Sequence, residues 1–167
     1  TREFPFPAPL PQVRKFIENV TGSLATRAFE VYGISGDGQG MSDPLYGPTS
    51  DQWFADLLFR YPVTTQAMWH SPLNKSTYEY ELAHAIPGQE SQGAVHAADL
   101  PYVFGYFPKT GNISGSFGEV DDKLADLIQT YWTNFAKTGN PNSPAVSNWP
   151  AFDTSQRFIR FTQEGSV

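Results

Sequence analysis

Three histidines, His70, His84 and His96, are the side chains here best suited to moving protons near neutral pH. They stand 14 and 12 residues apart and form no H-E-x-x-H group, so the usual zinc spacings are not met. The chain has no cysteine, which removes disulfides, thiolate ligands and thiol nucleophiles. A serine activated on a strand-to-helix elbow needs G-x-S-x-G, and none occurs: Ser35 runs directly into Gly36, and Ser114 follows Ile113. The segment "GISGDGQG" lacks both the G-x-G-x-x-G spacing and the Lys-Ser/Thr ending of a phosphate loop, and reads as a plain loop. What is left is His96, in the turn "GAVHAADLPYVFG" over residues 93–105. It is either an acid–base group or a turn residue beside a buried segment; Asp99, three residues on, is an acid within sequence reach, expected more readily to brace the turn or cap the short helix after it.

The elements around this turn can be read from periodicity. "PQVRKFIENV" places Val13, Phe16, Ile17 and Val20 at helical intervals and stops at Gly22. A second short helix is expected through "LATRAFEVYG", followed by a glycine-rich loop over 33–48. "SDQWFADLLFRYPVTTQAMWH" reads as a helix capped by Ser50 and kinked or broken at Pro62. "STYEYELAH" alternates as a strand, with Tyr78, Tyr80 and Leu82 on one face. After the histidine turn, the sequence predicts a helix through "EVDDKLADLIQTYWTNFAKTG". Its stripe is Val120, Leu124, Leu127, Ile128, Tyr131 and Phe135, with acids at its start and Lys137-Thr138-Gly139 at its end. "RFIRFT" is a short strand. Two clear strands are too few for a self-sufficient sheet protein and argue for a portion of something larger.

Composition narrows the function further. A length of 167 residues favours one domain with a real core, and 17% charge with 40% hydrophobic residues fits a globular chain. A net charge of −6 leaves no basic patch for phosphates, so a nucleic-acid partner is not expected. No run approaches the roughly 20 apolar residues of a membrane span. The chain opens on Thr1 rather than Met, so targeting is not readable from its start. Asn19-Val20-Thr21, Asn74-Lys75-Ser76 and Asn112-Ile113-Ser114 match glycan acceptors. Such short matches also arise by chance; they favour a secreted or periplasmic location without fixing it.

Ordered segments then converge. "GAVHAADLPYVFG" resembles the catalytic-histidine segment of the type-B carboxylesterases, a family that includes cholinesterases and bacterial p-nitrobenzyl esterases. The shared features are Gly93, His96, the Asp99-Leu100 pair and Tyr102-Val103-Phe104-Gly105. "YWTNFAKTGNPN" with the following "WPAFD" resembles the family's C-terminal helix, exit loop and W-P-x-aromatic turn, and "YEYELAH" fits the strand entering the histidine loop. The likeness covers residues 76–162.

The resemblance implies an α/β-hydrolase fold, with residues 1–167 as the C-terminal part of a single such domain, helix-rich and holding a few strands of the central sheet. It implies a Ser…acid…His order in which the acid is a glutamate. Glu3, in "TREFPFP" and 93 residues before His96, takes that place, although Phe4 follows where glycine is common. Phe6 matches a gorge-lining aromatic; Trp53, Phe54, Phe59, Met68 and Trp69 are more readily explained as core. The implied activity is carboxylic ester hydrolysis through an acyl-enzyme, on a small-molecule ester, with no metal or organic cofactor. The nucleophilic serine and oxyanion amides are expected in an N-terminal portion of the same enzyme, outside this chain. The alternative is a catalytically inactive, cholinesterase-like adhesion or binding protein.

Overall fold

A computed structural model describes residues 10–34, 42–43 and 47–166. The chain forms two compact units, residues 1–61 and 62–167.

In the first unit, helix α1 (Leu10–Thr21) opens with Pro11, whose missing N–H costs nothing in a first turn. It ends at Gly22, whose φ of +53° lies in the left-handed region that glycine enters without a Cβ penalty. A 3₁₀ turn (Gly22–Leu24) leads into α2 (Ala25–Val31). Two-residue strands β1 (Ser42–Asp43) and β2 (Gly47–Pro48) pair antiparallel, and α3 (Thr49–Ala55) follows. The predicted stripe of α1 is buried at Val13 and Ile17, packed with Ile34, Trp53 and Phe54, whereas Val20 in its last turn is exposed. Phe16 stacks on Phe54 at 5.4 Å, and Tyr32 meets Trp53 edge-on at 5.3 Å.

The predicted helix over 50–70 forms with two differences. Thr49 is already helical, so Ser50 is an interior position rather than the cap. The expected kink or break at Pro62 takes the form of a five-residue π-helical stretch, Asp56–Arg60, directly before α4 (Tyr61–His70). Proline has no N–H and its ring crowds the carbonyl four residues back; a widened turn there lets the helical path resume instead of stopping.

The second unit is built on a three-stranded sheet. β3 (Tyr80–Leu82) pairs in parallel with β4 (Ile159–Thr162), register Tyr80 with Ile159, and β4 pairs antiparallel with β5 (Gly165–Ser166). Helix α5 (Leu100–Phe104) and the long helix α6 (Glu119–Thr138) complete it. The core gathers Tyr102, Leu124, Ala125, Ile128, Tyr131, Trp149, Ile159 and Phe161, with Tyr78, Tyr80 and Leu82 against it, as the strand alternation requires. The buried stripe of α6 is shifted from the predicted one. Leu124, Ile128 and Tyr131 are inside, joined by Ala125 and Asp121, while the end positions Val120 and Phe135 are exposed. Gly139, with φ +73°, closes α6 and donates its N–H to the Phe135 carbonyl at 2.7 Å.

Trp149 is the hub of this core. Its ring lies within 6.0 Å of Tyr78, Tyr80, Tyr131, Trp132 and Phe161. Its indole N–H donates to the Glu79 carbonyl at 2.9 Å, and Asn142 binds its backbone on both sides, accepting the N–H at 2.6 Å and donating to the C=O at 2.9 Å. Truncation would leave a large cavity and take away one of the two donors to the Glu79 carbonyl, the other being Ile159 N–H. Trp149→Ala is therefore expected to destabilise the fold by about 3–5 kcal/mol, read as a lowered urea midpoint with an unchanged m-value; a change below about 1 kcal/mol would show that Trp149 is not the hub.

Candidate active site

His96 sits on a segment that leaves β3 and returns through α5. The strand hands over at Ala83, whose N–H donates to the Phe161 carbonyl at 2.8 Å. Past Ile86, which is fully buried, a 3₁₀ turn (Glu90–Gln92) is followed by Gly93 at φ +67°. The histidine turn itself is closed by Ala98 N–H to the Val95 carbonyl at 3.0 Å and Leu100 N–H to the Ala97 carbonyl at 3.1 Å. The His96 side chain is exposed.

Several contacts hold this segment in place. Gln89 donates from its side chain to the carbonyls of Ser114 at 2.8 Å and Asn112 at 3.3 Å, and Ser116 N–H donates to the Pro87 carbonyl at 3.1 Å. Gly115 fits against the same stretch: a Cβ there would fall 2.5 Å from the Pro87 oxygen, so only glycine admits this approach. Downstream of His96, the Asp99 carboxylate accepts the Tyr80 hydroxyl at 2.6 Å, fixing the end of the turn to the strand. Burial, then the hydrogen bond and the charge of Asp99, push the Tyr80 hydroxyl well above the usual phenol range. Asp99 precedes α5 but makes no side-chain cap, so of its two expected structural roles it fills the brace.

A second carboxylate, Asp121, is 4% exposed and was not singled out by the sequence. Its Oδ1 accepts from Tyr102 at 2.8 Å and lies 3.0 Å from His84 Nε2, and its Oδ2 accepts the Gly118 N–H at 2.8 Å. Burial alone would raise its carboxyl; the hydrogen bonds from His84, Gly118 and Tyr102 outweigh that and hold it below the usual range. An ionised carboxylate can only accept, so His84 carries a proton on Nε2. In the sequence Asp121 is one of the acids at the start of α6, a dipole feature; in the structure it stands at the third helical position and accepts the N–H of Gly118, which has no side chain to return a cap.

The remaining sequence candidates divide clearly. His70 Nδ1 lies 2.7 Å from the Thr77 hydroxyl, on its own part of the unit. Among the described residues no group of three His, Cys, Asp or Glu could hold a metal ion, and no helix is long and apolar enough to cross a membrane. Trp53 and Phe54 are core, whereas Phe59, Met68 and Trp69 are exposed. Glu3 and Phe6 lie outside the described residues, as does most of the glycine-rich loop.

The carboxylesterase family model matches residues 13–167, including β3, the histidine turn, α6 and the Trp149 turn. The chain belongs to the carboxylesterase family. A medium-chain fatty acyl-CoA hydrolase precursor from Anas platyrhynchos is 33% identical over 112 residues, which are 63% of this chain and 19% of that protein. Neuroligin-2 from Homo sapiens is 36% identical over 102 residues, 58% of this chain and 11% of its own length. The chain thus spans about a fifth or less of these curated relatives. A solved PNB esterase superposes on 94% of this chain and 30% of its own with a TM-score of 0.62 and 26% identity. The expected fold class, a helix-rich portion of an α/β-hydrolase with a small sheet, is the one observed.

The backbone at the site carries a local cost. Ala97, next to His96, has φ +66°, a left-handed conformation that costs a non-glycine residue about 1–2 kcal/mol. Ala97→Gly is expected to stabilise the protein by roughly 1 kcal/mol, and Ala97→Val to destabilise it by more. Thermal melts of the two variants check this; a lower melting temperature for Ala97→Gly would show that the turn is not under strain.

Proposed function

We propose that this chain carries two members of a Ser-Glu-His relay for carboxylic ester hydrolysis: His96 as general base and acid, and Glu3 as its orienting carboxylate. The observation that supports it best is the placement of His96. It stands exposed on a braced turn with a left-handed residue beside it, in a chain of the carboxylesterase family. The serine comes from an N-terminal portion of the same enzyme, since these 167 residues hold no G-x-S-x-G.

In this reading His96 takes the serine proton as the oxygen attacks the ester carbonyl, then gives it to the departing alkoxide, leaving an acyl-serine and a free alcohol. Water repeats the cycle: its proton passes to His96, its oxygen attacks the acyl carbon, and the proton returns to the serine oxygen as the acid leaves. Glu3 fixes the imidazole tautomer and stabilises the imidazolium, and Phe6 lines the substrate gorge. The substrates are neutral or modestly polar carboxylic esters, and the chemistry requires neither metal nor organic cofactor.

A second reading, a catalytically inactive cholinesterase-like binding protein, is favoured by the neuroligin-2 match, a relative whose name is not that of a hydrolase. Turnover of a p-nitrophenyl ester by the complete protein separates the two. His96→Ala is expected to abolish that turnover without altering the circular dichroism spectrum, and Glu3→Gln to reduce it by a factor on the order of 10⁴. Activity that survives His96→Ala would remove the relay.

A further inference from the structure

The Asp121 cluster does more for the histidine segment than cap a helix. His84 lies 12 residues before His96 and Tyr102 lies six after it, so the two flank the turn on either side in sequence. Both meet the same carboxylate oxygen, at 3.0 and 2.8 Å. The carboxylate belongs to the first turn of α6, the longest helix, and is itself tied by its other oxygen to Gly118 N–H at 2.8 Å. The segment from 84 to 102 is therefore a loop whose ends are pinned at one buried point. Ring packing reinforces the point: His84 meets Tyr102 edge-on at 5.7 Å, and Tyr102 meets Phe107 at 5.8 Å. The Tyr80–Asp99 bond at 2.6 Å is a second tie within the same span.

We infer that Asp121 is a positioning residue for the proposed reaction, holding His84 and Tyr102 together so that the turn between them presents His96 in one place. The inference rests on the role proposed for His96. Proton transfer needs the imidazole within hydrogen-bond reach of the serine oxygen, and a displacement near 1 Å can cost about 100-fold in rate. A loop pinned at both ends by one carboxylate has fewer ways to make such a displacement than one pinned at either end alone. Asp121 touches neither substrate nor reacting atoms in this scheme; it acts through the two residues it binds.

The test uses the complete enzyme and three variants. Asp121→Asn replaces an acceptor-only group with one that presents an N–H₂ to donors already facing it, leaving at least one of them unpaired. Tyr102→Phe removes one hydroxyl and keeps the ring packing. His84→Gln keeps an N–H close to the position of Nε2. Active sites are counted with an organophosphate titrant left to completion, and kcat and KM for a p-nitrophenyl ester are expressed per titrated site. Asp121→Asn and Tyr102→Phe are expected to lower kcat per site by about tenfold with KM within about twofold, and His84→Gln to stay close to the parent. A merely structural role would instead lower the number of titratable sites and leave the rate per site unchanged. Unchanged rate per site in both Asp121→Asn and Tyr102→Phe, with His96→Ala inactive, overturns the positioning inference and leaves the relay standing. Activity in His96→Ala overturns the relay itself. Should Asp121→Asn fail to fold, Tyr102→Phe decides alone.

Discussion

The second unit depends on the bond between the Trp149 indole and the Glu79 carbonyl. It is a single hydrogen bond of 2.9 Å, yet it fixes where β3 begins, because the same carbonyl also accepts Ile159 N–H at 3.2 Å from β4. A loop residue and a strand residue thus share one acceptor at the start of the parallel pair. From there the order of consequences runs along the chain. The register of β3 on β4 sets which face Tyr80 and Leu82 present; Tyr80, packed on Trp132 at 4.9 Å, directs its hydroxyl to Asp99; Asp99 ends the histidine turn. Parallel strands of three and four residues supply little stability by themselves. The aromatic cluster over them contributes the burial, each ring pair adding about 0.5–1.5 kcal/mol beyond area alone.

How much of this the sequence discloses follows from the range of the interactions involved. Helices α1 and α6 and the strands at 80–82 and 159–162 are written in local periodicity, so their existence and type could be read directly. Their inner faces could be read only in part. Val120 and Phe135 fit the stripe of α6 by angle but lie at its two ends, where fewer neighbours cover them, whereas Asp121 is buried because three partners converge on its carboxylate. Those partners come from 19 and 37 residues away as well as from its own helix start, and no periodicity encodes them. The proline at 62 was legible as a disturbance; that the disturbance is a π-helical stretch rather than a stop depends on how the flanking turns are satisfied.

The candidate site shows the same division. His96 and its surroundings were legible because the turn is a contiguous run of distinctive residues and resembles a family segment. Asp99 was legible as an acid, but its choice between capping α5 and bracing the turn was settled by Tyr80, a residue on another element. His84 carried no signal beyond its type, and its partner could not have been named from spacing. Sequence patterns disclose groups that lie on one element; they are silent on carboxylates that gather donors from several.

Strain and bracing at the turn belong together. A left-handed alanine is unfavourable in isolation and persists only where its surroundings over-determine it. Here the surroundings are the hydrogen bonds that close the turn on both sides of Ala97, the Asp99 tie to β3 and the Asp121 tie to α6. Each bond taken singly contributes about 0.5–1.5 kcal/mol, or somewhat more where a carboxylate accepts. One tie ends on the buried carboxylate of Asp121 and another on the half-buried Asp99, so relaxing the turn would mean unpairing groups that water reaches only in part. That is a costlier route than bearing the strain, and it gives the exposed imidazole a fixed base.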